Sequence, residues 1–190
     1  MKRLIVGLTG ASGAIYGIRA LELLKGSDLE THLILSPAAK ATIAQETDWK
    51  VSDVQALASV NHDHRDVGAT IASGSFATMG MLIAPCSIKT LSAVANSYSN
   101  DLMSRAADVC LKEGRPLLLM VRETPLHLGH IRLMAQTAEA GAIIFPPVPA
   151  FYGKPQTIDD LVNGTVGRAL ARLGIENDAY TKWKGMSENA

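Results

Sequence analysis

The segment Gly10-Ala11-Ser12-Gly13 follows an apolar run from Lys2 to Leu8, so glycines and a hydroxyl stand where a strand hands over to a helix. Glycine lets backbone approach a ligand, and the first amides of the helix face an anion. Taken alone, the same pattern suits a tight turn that needs glycine for geometry only. It is neither a P-loop, which needs Gly-Lys-Ser/Thr, nor a Gly-x-Gly-x-x-Gly fingerprint. The next strand ends in Ser36, where an NAD site places an acid for the ribose hydroxyls. An NAD dehydrogenase is therefore disfavoured, and Ser36 better suits a phosphate or a ribityl chain. Ser87-Ile88-Lys89-Thr90 opens a second helix directly after a strand. Its first and fourth hydroxyls share a helical face beside exposed amides, and Lys89 adds charge. Ser87 also reads as a plain helix cap. Two hydroxyl-rich helix starts on one edge argue for a mononucleotide with a single phosphate.

Arg122-Glu123 follows another buried strand, with Pro125 setting the turn. A surface ion pair is the bland reading; the position favours a site role. Glu46 lies at the carboxyl end of its helix, where the macrodipole disfavours negative charge, so a raised pKa and proton exchange near neutrality are expected. Lys112, Tyr152, Arg168 and Trp183 carry suitable chemistry but no spacing that singles them out. The five histidines, His32, His62, His64, His127 and His130, show no metal-ligand spelling, and His127-x-x-His130 reads as a helix start.

The elements that must position these residues follow from periodicity. Apolar runs predict strands at Lys2–Leu8, Thr31–Leu35, Met79–Ala84 (stopped by Pro85), Pro116–Val121 and Ala142–Phe145. Helical spacing fills the intervals: Ser12 to Leu24, from a Ser36 cap towards Thr47, Val54–Ala58, Ser87–Ala95, Leu102–Lys112, Leu128–Ala140 and Ile158–Leu173. Residues 51–78 carry the weakest pattern. Strands alternating with helices specify a three-layer, doubly wound parallel sheet of the Rossmann or flavodoxin-like kind. Ligands bind such sheets beyond the carboxyl ends of the strands. The segments that follow the strands, Thr9–Gly13, Ser36, Pro85–Thr90, Arg122–Pro125 and Pro146–Tyr152, converge on that edge, and this convergence outweighs any single motif.

Composition sets the frame. The chain has 190 residues, 47% apolar and 19% charged, which suits one domain over residues 1–184 with a loose tail at 185–190. Eighteen basic and eighteen acidic residues cancel, so no basic field for nucleic acid exists. Two cysteines, Cys86 and Cys110, form no Cys-x-x-Cys, and no apolar run reaches a membrane span. A cytoplasmic protein with reduced thiols is expected, and neutrality favours self-association.

Several blocks, in order, resemble the UbiX-type flavin prenyltransferases (the UbiX/PAD flavoproteins) across nearly the whole length. They are Gly7-Leu8-Thr9-Gly10-Ala11-Ser12-Gly13-Ala14, Glu46-Thr47-Asp48, Ser73-Gly74-Ser75-Phe76 and Pro85 to Thr90. They continue with Arg105-Ala106-Ala107-Asp108, Leu111-Lys112-Glu113, Arg122 to Leu126, and Pro146-Pro147-x-Pro149-Ala150-Phe151-Tyr152. The resemblance implies metal-independent transfer of a dimethylallyl group from an allylic phosphate, read as dimethylallyl monophosphate, to N5 and C6 of reduced FMN. It implies a homo-oligomer, often a dodecamer, whose product serves a UbiD-type decarboxylase in ubiquinone synthesis or aromatic-acid breakdown.

Carried over by position, Gly10, Ala11, Ser12, Ser36, Ser87, Ile88, Lys89, Thr90 and Arg122 would hold FMN, with Ser12 close to N5. Lys112, Tyr152 and Arg168 would hold the allylic phosphate. Glu46 and Glu123 would handle protons and orientation. Trp183 and Tyr152 would offer π faces to developing cationic character, and Arg168 and Trp183 are expected to act across a subunit interface. Pro37 departs from the basic residue common after the serine, and residues 60–70 match loosely. Two other readings are a flavin-dependent cysteine decarboxylase and a non-catalytic flavin-binding subunit. The first typically carries Pro-Ala-Ser-Ala-Asn-Thr where this chain has Pro85-Cys86-Ser87-Ile88-Lys89-Thr90, with a catalytic His that His62 or His64 could imitate. The second would not need Lys112, Tyr152 and Arg168 as a further phosphate site.

Overall fold

Branched and apolar residues with no polar alternation give strands buried on both faces, and six of them build the sheet in the computed structural model, which describes residues 2–185. In chain order the elements are β1 (Lys2–Leu8), α1 (Ala14–Leu24), β2 (Leu29–Leu35), α2 (Pro37–Glu46), α3 (Val51–Gln55) and β3 (Val60–His62). After a 3-10 turn at Thr70–Ala72 come β4 (Met81–Cys86), α4 (Ile88–Ala95), α5 (Leu102–Lys112), β5 (Leu117–Val121), α6 (Leu128–Glu139), β6 (Ile143–Ile144) and α7 (Ile158–Arg172). Every strand pairing is parallel. The expected tail falls, from residue 186 onward, outside the described residues.

The strand order is β3-β2-β1-β4-β5-β6, a doubly wound sheet whose order reverses between β1 and β4. One apolar cluster, with Ile18, Leu21 and Val166, packs α1, α2 and α7 on one face. A second, with Leu91, Met103 and Cys110, packs α4 and α5 on the other.

The structure corrects three predicted elements. β3 was not expected: Val60-Asn61-His62 is too short and polar to carry a period, and pairing with β2 makes it a strand. The helix predicted at Val54–Ala58 begins and ends three residues earlier. Pro85 does not stop β4. The strand reaches Cys86 with a register shift between Ile83 and Cys86, an irregularity that absorbs the missing N–H.

Helix α1 lies tight on the sheet because Gly17 has no side chain. A Cβ there would sit 2.2 Å from the Ala84 carbonyl oxygen and 2.5 Å from Leu8 Cγ. Gly17→Ala is therefore expected to be destabilising, since overpacking costs about 1–3 kcal/mol and outweighs the better helix propensity. Calorimetry should show a midpoint lowered by about 4–8 °C for a loss of about 2 kcal/mol at this chain length. An unchanged or raised midpoint would contradict this packing.

On the far face, a half-buried polar chain runs from Arg3 to the edge strand. Arg3 Nε donates to Glu30 Oε1 at 3.2 Å, and the same oxygen lies 2.7 Å from His32 Nε2. His32 Nδ1 is in turn 2.9 Å from His62 Nε2. His62 is thus engaged in holding β3 to β2.

Candidate active site

The loops after β1, β2, β4 and β5 meet at the carboxyl edge, around the strand-order reversal. Between β1 and α1, Gly13 takes φ 101°, a left-handed conformation that glycine adopts without cost. Gly10 packs so closely on α2 that a Cβ would lie 2.4 Å from Ala38 Cβ. Ser36 caps α2, accepting from Ala39 N–H at 3.0 Å, with Pro37 in the first turn. Ser87 caps α4, accepting from Thr90 N–H at 3.3 Å and donating to Thr90 Oγ1 at 3.2 Å. Lys89 on the same turn is exposed. The Ala84–Pro85 and Thr124–Pro125 peptides are cis.

Glu46 is placed differently from expectation. Although it ends α2, its carboxylate reaches the amino terminus of α1, where Oε2 accepts from Gly13 N–H at 2.8 Å and Ala14 N–H at 3.2 Å. Partial burial works to raise its pKa. The Ser12 hydroxyl, the two amides and the positive field of Arg122 outweigh that effect, so the carboxyl is held below its ordinary value. The expected rise is thus reversed. The α2 dipole is a weaker influence than the donors of another helix, whose proximity no sequence spacing encodes.

Arg122 follows β5, and its amide donates to the Cys86 carbonyl at 3.1 Å. Among the described residues no ion pair joins it to Glu123, whose carboxylate instead accepts from Thr124 N–H at 3.0 Å. The positive field of Arg122 reaches both Glu46 and Tyr16. Tyr16, which the sequence reading missed, stands one turn into α1 against Gly13. Burial raises its phenol pKa, and Arg122 opposes the rise. Its spacing from Gly13 was the available signal. Thr9, also missed, is a buried polar residue at a strand end that bonds to both Pro85 and Ser87.

Tyr152 and Arg168 line one cavity of about 680 Å³ together with Phe145, Lys154 and Tyr180. Tyr152 Oη donates to the Thr181 carbonyl at 3.0 Å, and its ring meets Trp183 edge-on at 5.5 Å. Tyr152 and Trp183 keep about half their surfaces open, at 45% and 52% exposure. None of the residues lining this cavity comes from the Gly10, Ser36, Ser87 or Arg122 loops.

Lys112 is set apart. It closes α5, before β5 begins, and bonds to Glu113 beside Gly74. Arg122 lies past the other end of β5, whose five residues span roughly 16 Å. The two cations therefore occupy opposite rims of the sheet.

Burial pushes the Cys86 thiol up to about 12 and Cys110 up to about 11, so neither is a thiolate nucleophile. His127 caps α6, accepting from Gly129 N–H at 2.9 Å, as its helix-start reading predicts.

The fold and this edge define a class first: a doubly wound α/β protein built to receive a phosphorylated ligand at its switch point. The donor set fits FMN, since hydroxyls, helix-start amides, Lys89 and Arg122 match a phosphate and polar ring atoms, and Gly10 and Gly13 keep the backbone of the first loop bare. Comparisons with known proteins are more specific. The family model described as Flavoprotein matches residues 1–170. The flavin prenyltransferase UbiX of Escherichia coli K12 is 60% identical over 188 residues, covering 97% of this chain and 100% of that protein. The mitochondrial flavin prenyltransferase PAD1 of Saccharomyces cerevisiae is 49% identical, covering 97% and 76%. The crystal structure of AnUbiX (PadA1) in complex with FMN and dimethylallyl pyrophosphate superposes with a TM-score of 0.95 at 47% identity, covering 97% of this chain and 98% of that one. A dodecameric FMN-dependent UbiX-like decarboxylase from Escherichia coli O157:H7 gives 0.94 at 46%, covering 96% and 100%. This chain belongs to the Flavoprotein family and, within it, to the UbiX-type flavin prenyltransferases. The FMN-dependent cysteine decarboxylase SpaF, at 16% identity and a TM-score of 0.62, shares the fold alone.

Proposed function

We propose that this protein transfers a dimethylallyl group from dimethylallyl phosphate to reduced FMN, making prenylated FMN for a UbiD-type decarboxylase. The observation that carries the reading is the edge where Gly10, Ser36, Ser87 and Arg122 converge, in a chain 60% identical to a flavin prenyltransferase over 188 residues. When bound, reduced FMN supplies the nucleophilic N5 and C6 that accept the five-carbon unit and close a fourth ring.

Gly10, Ala11, Ser12, Ser36, Ser87, Ile88, Lys89, Thr90 and Arg122 are the residues we assign to FMN. Glu46 is ionised and accepts from the Ser12 hydroxyl, which places it to take a proton relayed through Ser12 Oγ. Exposed Glu123 assists orientation beside the leaving phosphate. Tyr152, Arg168 and Lys112 receive that phosphate as a phenolic donor and two cations. The ring faces of Tyr152 and Trp183 stabilise positive charge as the allylic C–O bond breaks.

Tyr152 and Arg168 share one cavity, whereas Lys112 lies on the opposite rim. Lys112 can therefore serve such a site only from a neighbouring copy, which agrees with the dodecameric relative. A homo-oligomer, dodecameric as that relative is, is thus part of the proposal. We assign residues 1–184 to the flavoprotein domain, and the unpaired, buried thiols support a cytoplasmic setting. No helix among the described residues is long and apolar enough to cross a membrane.

The test is anaerobic incubation with reduced FMN and dimethylallyl monophosphate, the pyrophosphate run in parallel, followed by mass spectrometry of the released flavin. A gain of one C5H8 unit is expected. Unchanged flavin with both donors would overturn the assignment.

A further inference from the structure

We propose that Thr9 is a positioning residue of the flavin site: its buried hydroxyl clasps the end of β4 and the start of α4 to the turn after β1 and so fixes the spacing between the two helix starts. Thr9 is 2% exposed. Its Oγ1 donates to the Pro85 carbonyl at 2.7 Å and accepts from Ser87 N–H at 2.8 Å, while its own N–H donates to Pro85 O at 3.2 Å.

Topology makes such a clasp necessary. The β1–β4 ladder ends at the Gly7–Ile83 pairing. Beyond it the chain after β1 enters α1 on one face, and the chain after β4 enters α4 on the other. Helices departing to opposite faces hold nothing together at a switch point. Beside the single backbone bond from Thr9 N–H to Pro85 O, the Thr9 hydroxyl, using its one proton and one lone pair, adds two further connections, one of them to the first amide before α4.

The clasp also decides which amides meet the ligand. Ser87 N–H is consumed by Thr9, and Thr90 N–H by the Ser87 side chain. The amides of Ile88 and Lys89 remain as the α4 donors without a protein acceptor among the described residues, held at a set distance from Ser12.

The inference rests on the flavin reading above, and FMN titration of Thr9→Val and Thr9→Ser separates the two. Valine preserves shape but strands the Ser87 N–H and leaves the Pro85 carbonyl with the backbone N–H of residue 9 alone. Its dissociation constant for FMN should rise about 10- to 100-fold, a range set by the cost of stranding buried polar groups. Serine keeps the hydroxyl and should bind within about 3-fold of the parent protein. If Thr9→Val does not fold, Thr9→Ala removes the same hydroxyl and carries the same expectation. Parent-like binding by the valine or alanine variant overturns the role of Thr9 and leaves the flavin reading intact. Serine binding as weakly as valine overturns it too, because the methyl environment would then be what matters. A parent protein that fails to bind FMN overturns both.

Discussion

Glu46→Gln should leave FMN bound within about 3-fold and slow formation of the prenylated product by about 100- to 10,000-fold, the range over which positioned acid–base groups act. Glutamine keeps a carbonyl oxygen for the Gly13 and Ala14 amides, so the α1 amino terminus and its loop stay in place. What it loses is the negative charge that accepts from Ser12 and faces Arg122. Flavin fluorescence titration and single-turnover product analysis separate binding from chemistry, and normal turnover would remove Glu46 from the proton path.

The pH dependence follows from the direction of its shift. The folded-state pKa lies below the ordinary 4.5, so the anchoring by Glu46 is fully present above the unfolded value. It is lost only as pH falls through the depressed folded value. The deficit of the glutamine variant should therefore be constant around neutrality. A bell centred near neutral pH and attributable to Glu46 would contradict the geometry.

Lys112→Ala should weaken use of the allylic phosphate by about 10- to 100-fold, mainly through KM, because a charge-assisted contact contributes roughly 1.5–3 kcal/mol. FMN affinity should stay within about 2-fold, since Lys112 is on the other rim from Arg122 and the Ser87 turn. The decisive measurement mixes subunits. Lys112→Ala and Glu46→Gln, each deficient alone, should recover activity when coexpressed. Some sites then combine an intact Glu46 edge from one copy with an intact Lys112 from the next. Failure to recover any activity in verified mixed assemblies would place both residues' contributions within one chain.

The contrast between these two residues shows how far the sequence reaches. β1, β2, β4 and β5 were legible because strands buried on both faces carry apolar runs, which in β1 and β2 follow a polar start. α4 was legible through its cap at Ser87, and α7 through regular helical spacing alone. Parallel topology then brought the polar residues at the strand ends to one edge, which made Gly10, Ser36, Ser87 and Arg122 candidates from order alone. β3 escaped because three residues cannot display a period, and its strand character comes from pairing with β2.

What the amino-acid order determined by itself, then, was the layered fold, the edge on which the candidate residues gather and, through its blocks of matching residues, the family. The tertiary structure alone decided that Glu46 is anchored by the amides of another helix, that the field of Arg122 reaches Tyr16, that Thr9 ties the end of β4 to the turn after β1, and that Lys112 sits on the rim opposite Arg122. Local periodicity is written in neighbours along the chain, whereas protonation and site sharing depend on distances between elements that only packing brings together.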